Sequence, residues 1–261
     1  FGSWYQYPPN HHLLDSLVKE SFDTKDFFIF VSHEHQDHFD VETLKLFSKN
    51  TKILIPNYSN RFLKKEIKRL GFECIFLEHF EKYKISNTFY VMPILSEVGV
   101  NTDCAILIKT RKFCFFNQND CKVFELIDRI EEKINFYSVQ FSGATTHPNR
   151  FILNKKKIKS ISAEKVDNKL KNVISAIKKL KPDYYLPAAG PAIFPFLKSS
   201  LSYGRGDNIF IHQKELNDIL IKNGITNTIY MRPGEEFSEN LKIPILPPNK
   251  EDLNNYRNSI S

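Results

Sequence analysis

Residues 27–40 read Phe27-Phe28-Ile29-Phe30-Val31-Ser32-His33-Glu34-His35-Gln36-Asp37-His38-Phe39-Asp40. The first six form a near-continuous apolar run of strand length, the next eight are mostly polar, and apolar residues resume at helical spacing over 41–47. Three histidines and one acid therefore sit in a loop that leaves a strand and enters a helix. Asp40 is placed to cap that helix, because its carboxylate can accept from the free N–H groups of the first turn. His33 and His35 are two apart, so on an extended chain both rings project to one side and can grip one ion. A turn at Asp37 and His38 would offer a carboxylate and a third imidazole to a neighbouring ion. Four ligand-type residues within six positions are hard to obtain by chance. Glu34 and Gln36 interleave with them and carry no assigned role.

Strands and helices alternate outward from this loop. A short strand is expected at 52–55, a basic amphipathic helix at 60–70 closed by Gly71, and a strand at 73–77. Strand-like runs at 88–95, 104–109 and 112–116 follow, the last two separated by a basic turn in the manner of a hairpin. A helix near 123–132, a strand at 136–141, a long helix at 163–180 ending before Pro182 and a buried strand at 184–187 complete the pattern. Gly190 and Pro191 are expected to shape a tight loop, and Tyr184, Tyr185 and Phe194 to be core. No repeat or linker divides the chain, so residues 1–261 are expected to form a single domain: an α/β sandwich of two mixed sheets with helices on both outer faces.

Composition narrows the function. The 261 residues are 41% hydrophobic, enough for a substantial core. The net charge of +7 favours anionic ligands, although much of the excess lies in exposed-looking helical stretches such as 155–159 and 178–181. Basic and aromatic residues do not interleave on a strand face, so nucleic acid is not indicated. No run of membrane-spanning length and no secretory leader occurs. Cys74, Cys104, Cys114 and Cys121 form no paired motif, which suggests reduced thiols in a cytoplasmic protein. The chain starts without Met, as a trimmed chain or a fragment would.

Two neighbouring cations repel, and an anion between them offsets the repulsion. Asp120 is the candidate for that bridge, since it follows a strand in Asn117-Gln118-Asn119-Asp120-Cys121; the alternative is an N-cap for the next helix.

The His33-to-His38 signature followed by a lone strand-end acid resembles the metallo-β-lactamase superfamily, whose αββα sandwich carries its metals at one edge of the two sheets. More narrowly, the chain is similar to the catalytic region of the CMP-N-acetylneuraminate hydroxylases and their bacterial relatives. The matching stretches are Phe1-Gly2-Ser3-Trp4, Val31-Ser32-His33, Asn101-Thr102-Asp103-Cys104, 117–121, Phe141-Ser142-Gly143-Ala144 with Pro148, Pro187-Ala188-Ala189-Gly190 and Arg232-Pro233-Gly234, in the same order over nearly the whole chain. The resemblance implies that the first strands of the sandwich precede Phe1, and that a Rieske iron–sulfur domain lies further upstream. The paired Cys/His ligands such a domain needs do not occur in this sequence.

The superfamily also supplies a third ligand to the first metal between the signature and the bridging acid. His79 lies early in that interval, and Glu97, at a strand end, is better placed. A carboxylate there would make an oxygen-rich set that favours iron or manganese over zinc. His147 in Thr145-Thr146-His147-Pro148 is the candidate for the last ligand of the second metal. Arg232, in a rigid turn with Pro233 and Gly234, is the candidate to meet a substrate phosphate or carboxylate. The expected ligand set is thus His33, His35, Asp37, His38, Glu97, Asp120 and His147, with Asp37 and Asp120 also catalytic.

Three functions compete on this reading. The first is a dinuclear iron oxygenase or hydroxylase acting on a small anionic substrate such as a sugar nucleotide, with electrons from an external donor, either a partner or an upstream domain. The second is a zinc or manganese hydrolase of phosphodiesterase or lactonase type, in which two ions acidify a bridging water and Asp37 orients it. The third is a binding domain that keeps metal for stability, which an intact two-ion motif disfavours.

Overall fold

The computed structural model describes residues 10–96, 102–143, 147, 153–190, 208–231 and 233–237. The described residues divide into two compact units. The first runs from residue 10 to Lys112 and takes in Cys121–Val123 and Pro233–Glu235; the second is the remainder.

The first unit is built around β2 (Lys52–Pro56), whose Ile53, Leu54 and Ile55 are all buried. A strand apolar on both faces needs cover on both, and it has it. β1 (Phe28–Phe30) and β3 (Glu73–Leu77) pair with it in parallel, one on each side. The crossovers between these strands carry α2 (Val41–Leu46) and α3 (Phe62–Arg69), preceded in the chain by α1 (Leu14–Asp23). Ile53 and Ile55 pack with Leu44 of α2 and with Leu63 and Ile67 of α3, and Leu14 and Val18 of α1 pack against the same cluster. On the other face Leu54 and Leu77 meet Val91 and Ile106. Those two residues belong to an antiparallel set, β4 (Tyr83–Ser86), β5 (Phe89–Ser96) and β6 (Asp103–Lys109). Two sheets thus lie face to face with helices outside the smaller one, which is the layering the resemblance implied. Among the described residues the three-stranded sheet is wholly parallel rather than mixed, and β4, β5 and β6 are antiparallel.

In the second unit β7 (Cys114–Asn119), β8 (Phe136–Gln140) and β9 (Tyr184–Ala188) run parallel. Phe116, Tyr137 and Tyr185, one from each strand, are fully buried; Phe116 stacks on Tyr137 at 5.5 Å between ring centroids, and Tyr137 meets Tyr185 tilted at 5.9 Å. Tyr185 is core as expected, Tyr184 is half-buried against Phe136, and Phe194 lies outside the described residues. α4 (Lys155–Leu180) and α5 (Gln213–Lys222) are the helices of this unit. Where β8 and β9 end, backbones pass closely. A Cβ on Gly190 would stand 2.4 Å from the Ser142 Cβ, and one on Gly143 would stand 2.5 Å from Ile209. The close approach expected at Gly190 is present, while Pro191 and the residues after it, up to 207, fall outside the described residues.

Several expectations need correction. The helix placed at 123–132 is a 3-10 segment over Phe124–Arg129. The strand placed at 112–116 runs to Asn119, so Asp120 follows it directly and stands four residues short of the 3-10 segment, too far to be its N-cap. α4 starts eight residues earlier than 163, at an N-cap, Asn154, whose side chain accepts from Lys157 N. α1, β4 and α5 were not anticipated.

Asp40 does cap α2: its Oδ1 accepts from Thr43 N at 2.7 Å. Asp40→Ala is expected to cost about 1 kcal/mol, read as a lower midpoint in chemical denaturation with an unchanged slope.

Candidate metal centre

β1 ends at Phe30, and Val31 N still bonds to Leu54 O, so the strand delivers Ser32 and His33 at its carboxyl end. The chain does not stay extended beyond that point, contrary to the simplest expectation. A tight turn forms instead, with both His38 N and Phe39 N donating to His35 O. This turn, rather than strand alternation, gathers the rings.

His33 is 2% exposed and lies at the centre. Its ring centroid is 4.5 Å from that of His35, at 81° between planes, and 4.2 Å from that of His38, at 36°. His33 Nε2 and His35 Nδ1 are 2.8 Å apart. His38 Nε2 lies 3.6 Å from Asp37 Oδ2. The four signature residues thus present two pairs of donor atoms, one pair imidazole–imidazole and the other imidazole–carboxylate.

The opposite nitrogens are held from behind. The Ser32 hydroxyl sits between His33 Nδ1 at 3.1 Å and His38 Nδ1 at 3.0 Å. His33 Nδ1 also faces Asp103 Oδ1 at 3.2 Å, and the same oxygen accepts from Cys104 N at 2.7 Å. Ser32 O accepts from the buried Tyr58 hydroxyl at 2.6 Å. Burial pushes the Tyr58 phenol well above its ordinary range, so it stays a donor. Ser32, Tyr58 and Asp103 were given no role in the sequence. An acid at the first position of a strand was the available signal, but its partner lies seventy positions earlier and only the fold joins them.

Asp120 is bonded to Cys121, which is buried in the first unit beside Val123, and Lys122 O there accepts from the Ser96 hydroxyl at 3.4 Å. Asp120 itself follows β7 in the second unit. His147 is buried with Nε2 3.1 Å from the Ser162 hydroxyl of α4. His79 Nδ1 accepts from Leu95 N at 2.9 Å, which assigns its ring to the backbone at the end of β5. Glu97 and Arg232 lie outside the described residues.

The donor set fits divalent cations. Two nitrogens bound to one tetrahedral ion at about 2.0–2.1 Å each stand roughly 3.3 Å apart. The observed separations of 2.8 and 3.6 Å bracket that value, so small ring rotations suffice for either pair. Imidazole with carboxylate is a set that zinc, iron and manganese all accept.

No family model matches the chain. It is similar to a protein of Mycolicibacterium smegmatis named "Putative Rieske 2Fe-2S iron-sulfur protein", with 27% identity over 90% of this chain and 47% of that protein. A protein of the same description from Mycobacterium tuberculosis is 26% identical, again over 90% of this chain and 47% of its own length. The chain therefore spans about half the length of the curated relatives it matches. Among solved structures it is similar to the metallo-β-lactamase fold protein YhfI from Bacillus subtilis, with 13% identity, a TM-score of 0.47 and coverage of 79% of this chain and 75% of that one. A second is described as a diphosphatase from the PhnP family, also at 13% identity and TM-score 0.47, covering 88% of this chain and 78% of that one.

Proposed function

We propose that this chain is the metal-bearing region of a dinuclear enzyme, in which His33 and His35 hold one cation, Asp37 and His38 hold the second, and Asp120 lies between them. The observation that carries this reading is the convergence of His33 Nε2 with His35 Nδ1 and of His38 Nε2 with Asp37 Oδ2 within one turn of chain. Glu97 and His147 complete the proposed ligand set; His147 would exchange its Ser162 partner for an ion. Arg232 is assigned to the substrate's anionic group.

Within the two-metal reading we favour iron and an oxidative reaction, hydroxylation of a small anionic molecule such as a sugar nucleotide. The named Rieske character of the longer relatives supports it, because a Rieske cluster delivers single electrons, which an oxygenase consumes and a hydrolase does not. The bound ions would supply a place for dioxygen to be reduced by an external donor. The chain's own residues supply the rest. His33 is buried, whereas Asp37 is 40% exposed and so accessible to an incoming molecule. The excess of seven positive charges draws an anion toward the protein. We place the protein in the cytoplasm, which four free cysteines suit. Among the described residues no helix is long and apolar enough to cross a membrane.

Elemental analysis of anaerobically purified protein, followed by exposure to dioxygen, tests the proposal. Two equivalents of iron and an oxygen-dependent optical change are expected. Two equivalents of zinc with no optical response would replace it with the hydrolytic reading, in which Asp37 orients a water for attack.

A further inference from the structure

We propose that Asp103 is a positioning residue that fixes which nitrogen of His33 is offered to metal; the inference rests on the site described above. Neutral imidazole carries one proton and one lone pair, and only the nitrogen with the lone pair can ligate. His33 must therefore be protonated at Nδ1 for Nε2 to serve.

Of the two groups described above against Nδ1, only one can impose that choice. The Ser32 hydroxyl, lying between the Nδ1 atoms of His33 and His38, can donate to either ring or accept from either. It is satisfied by several proton arrangements, including one with the Nε2 of His38 protonated and unable to bind. A carboxylate only accepts. With Asp103 Oδ1 3.2 Å from His33 Nδ1, the proton belongs on Nδ1 and the Nε2 lone pair points at His35. The 2.8 Å contact then has His35 Nδ1 donating to His33 Nε2 in the metal-free protein. One acid thereby orders the protons of both members of the imidazole–imidazole pair.

Asp103 is itself held in place. It opens β6, its Oδ1 accepts from Cys104 N, and Cys104 is fully buried beside it. A carboxylate behind a ligating imidazole fixes both ring orientation and basicity, and losing such a partner commonly weakens metal affinity 10- to 100-fold.

The test uses the whole chain, nitrogen-15 labelled at histidine, with Asp103→Ala and Asp103→Ser. The Ser variant keeps an acceptor for Cys104 N–H but cannot reach the ring, and it decides the matter should the Ala variant not fold by circular dichroism. Imidazole nitrogen spectra of the metal-free protein read the His33 tautomer, and zinc titration against a chromophoric chelator reads affinity. Wild type is expected to show the Nδ1–H form, with the variants mixed or reversed and roughly 10- to 100-fold weaker in zinc binding. An unchanged tautomer and unchanged affinity in the folded variant would overturn the proposal. If wild type takes up no zinc, the metal-site reading fails, and the tautomer comparison alone still decides whether Asp103 governs His33.

Discussion

His33→Ala is expected to leave the protein folded and unable to retain either cation. His33 supplies one half of the imidazole–imidazole pair, and its ring packs against both His35 and His38. Removing it deletes a donor proposed for the first cation and the wall against which the third ring is set. The affinity loss should exceed the ~10- to 100-fold typical of removing a supporting residue, because on the proposed reading a ligand itself is gone. Metal content after dialysis, measured on protein whose circular dichroism matches wild type, checks it. His79→Ala is the control. That ring accepts from the Leu95 backbone, so metal content should persist while stability falls by about 1 kcal/mol. A variant lacking His33 that still holds two equivalents would remove the turn from the metal site.

Ile53→Ala carries the largest expected cost to the fold. Ile53 is fully buried at the middle strand of the three-stranded sheet, in the cluster shared with Leu44, Leu63 and Ile67. Truncation removes three carbons and leaves a cavity between sheet and helices that neither can close without breaking the β2 ladder. The cost is about 2–5 kcal/mol. At roughly 2–4 °C per kcal/mol for a chain of this size, the midpoint should fall by about 4–20 °C. Thermal denaturation followed at both 222 nm and by aromatic fluorescence measures it. A shift within the error of wild type would mean that the helices do not seat on this strand.

Local rules were sufficient for some of this architecture. β2 and β3 were legible because continuous apolar runs bounded by Gly71 and polar loops admit few other readings. α2 was legible because Asp40 is a strong cap with apolar spacing behind it. β4 escaped because four residues with a half-exposed pattern barely register as alternation. The start of α4 was misplaced because its first turn is three lysines with no apolar stripe, leaving only the Asn154 cap to mark it. In the site, the donor residues were visible as a motif, since they are adjacent in sequence. Their spatial partners were not. Ser32 looks like any strand-end serine, and Asp103 acquires its meaning only when β6 carries it to the carboxyl end of β1.

The irregularity in β7 sets a further constraint. Its pairing with β8 slips between Asn117 and Asn119, where Asn119 adopts a φ of 45°, while the residue between them, Gln118, is buried with its Oε1 accepting from the Tyr137 hydroxyl. Side chains alternate along a strand, so one supernumerary residue reverses the parity of everything downstream. Asp120 inherits its direction from that reversal. The segment can therefore drift in chemistry but not in length: losing one residue there would send the carboxylate to the wrong side of the sheet while leaving every neighbouring letter of the motif intact.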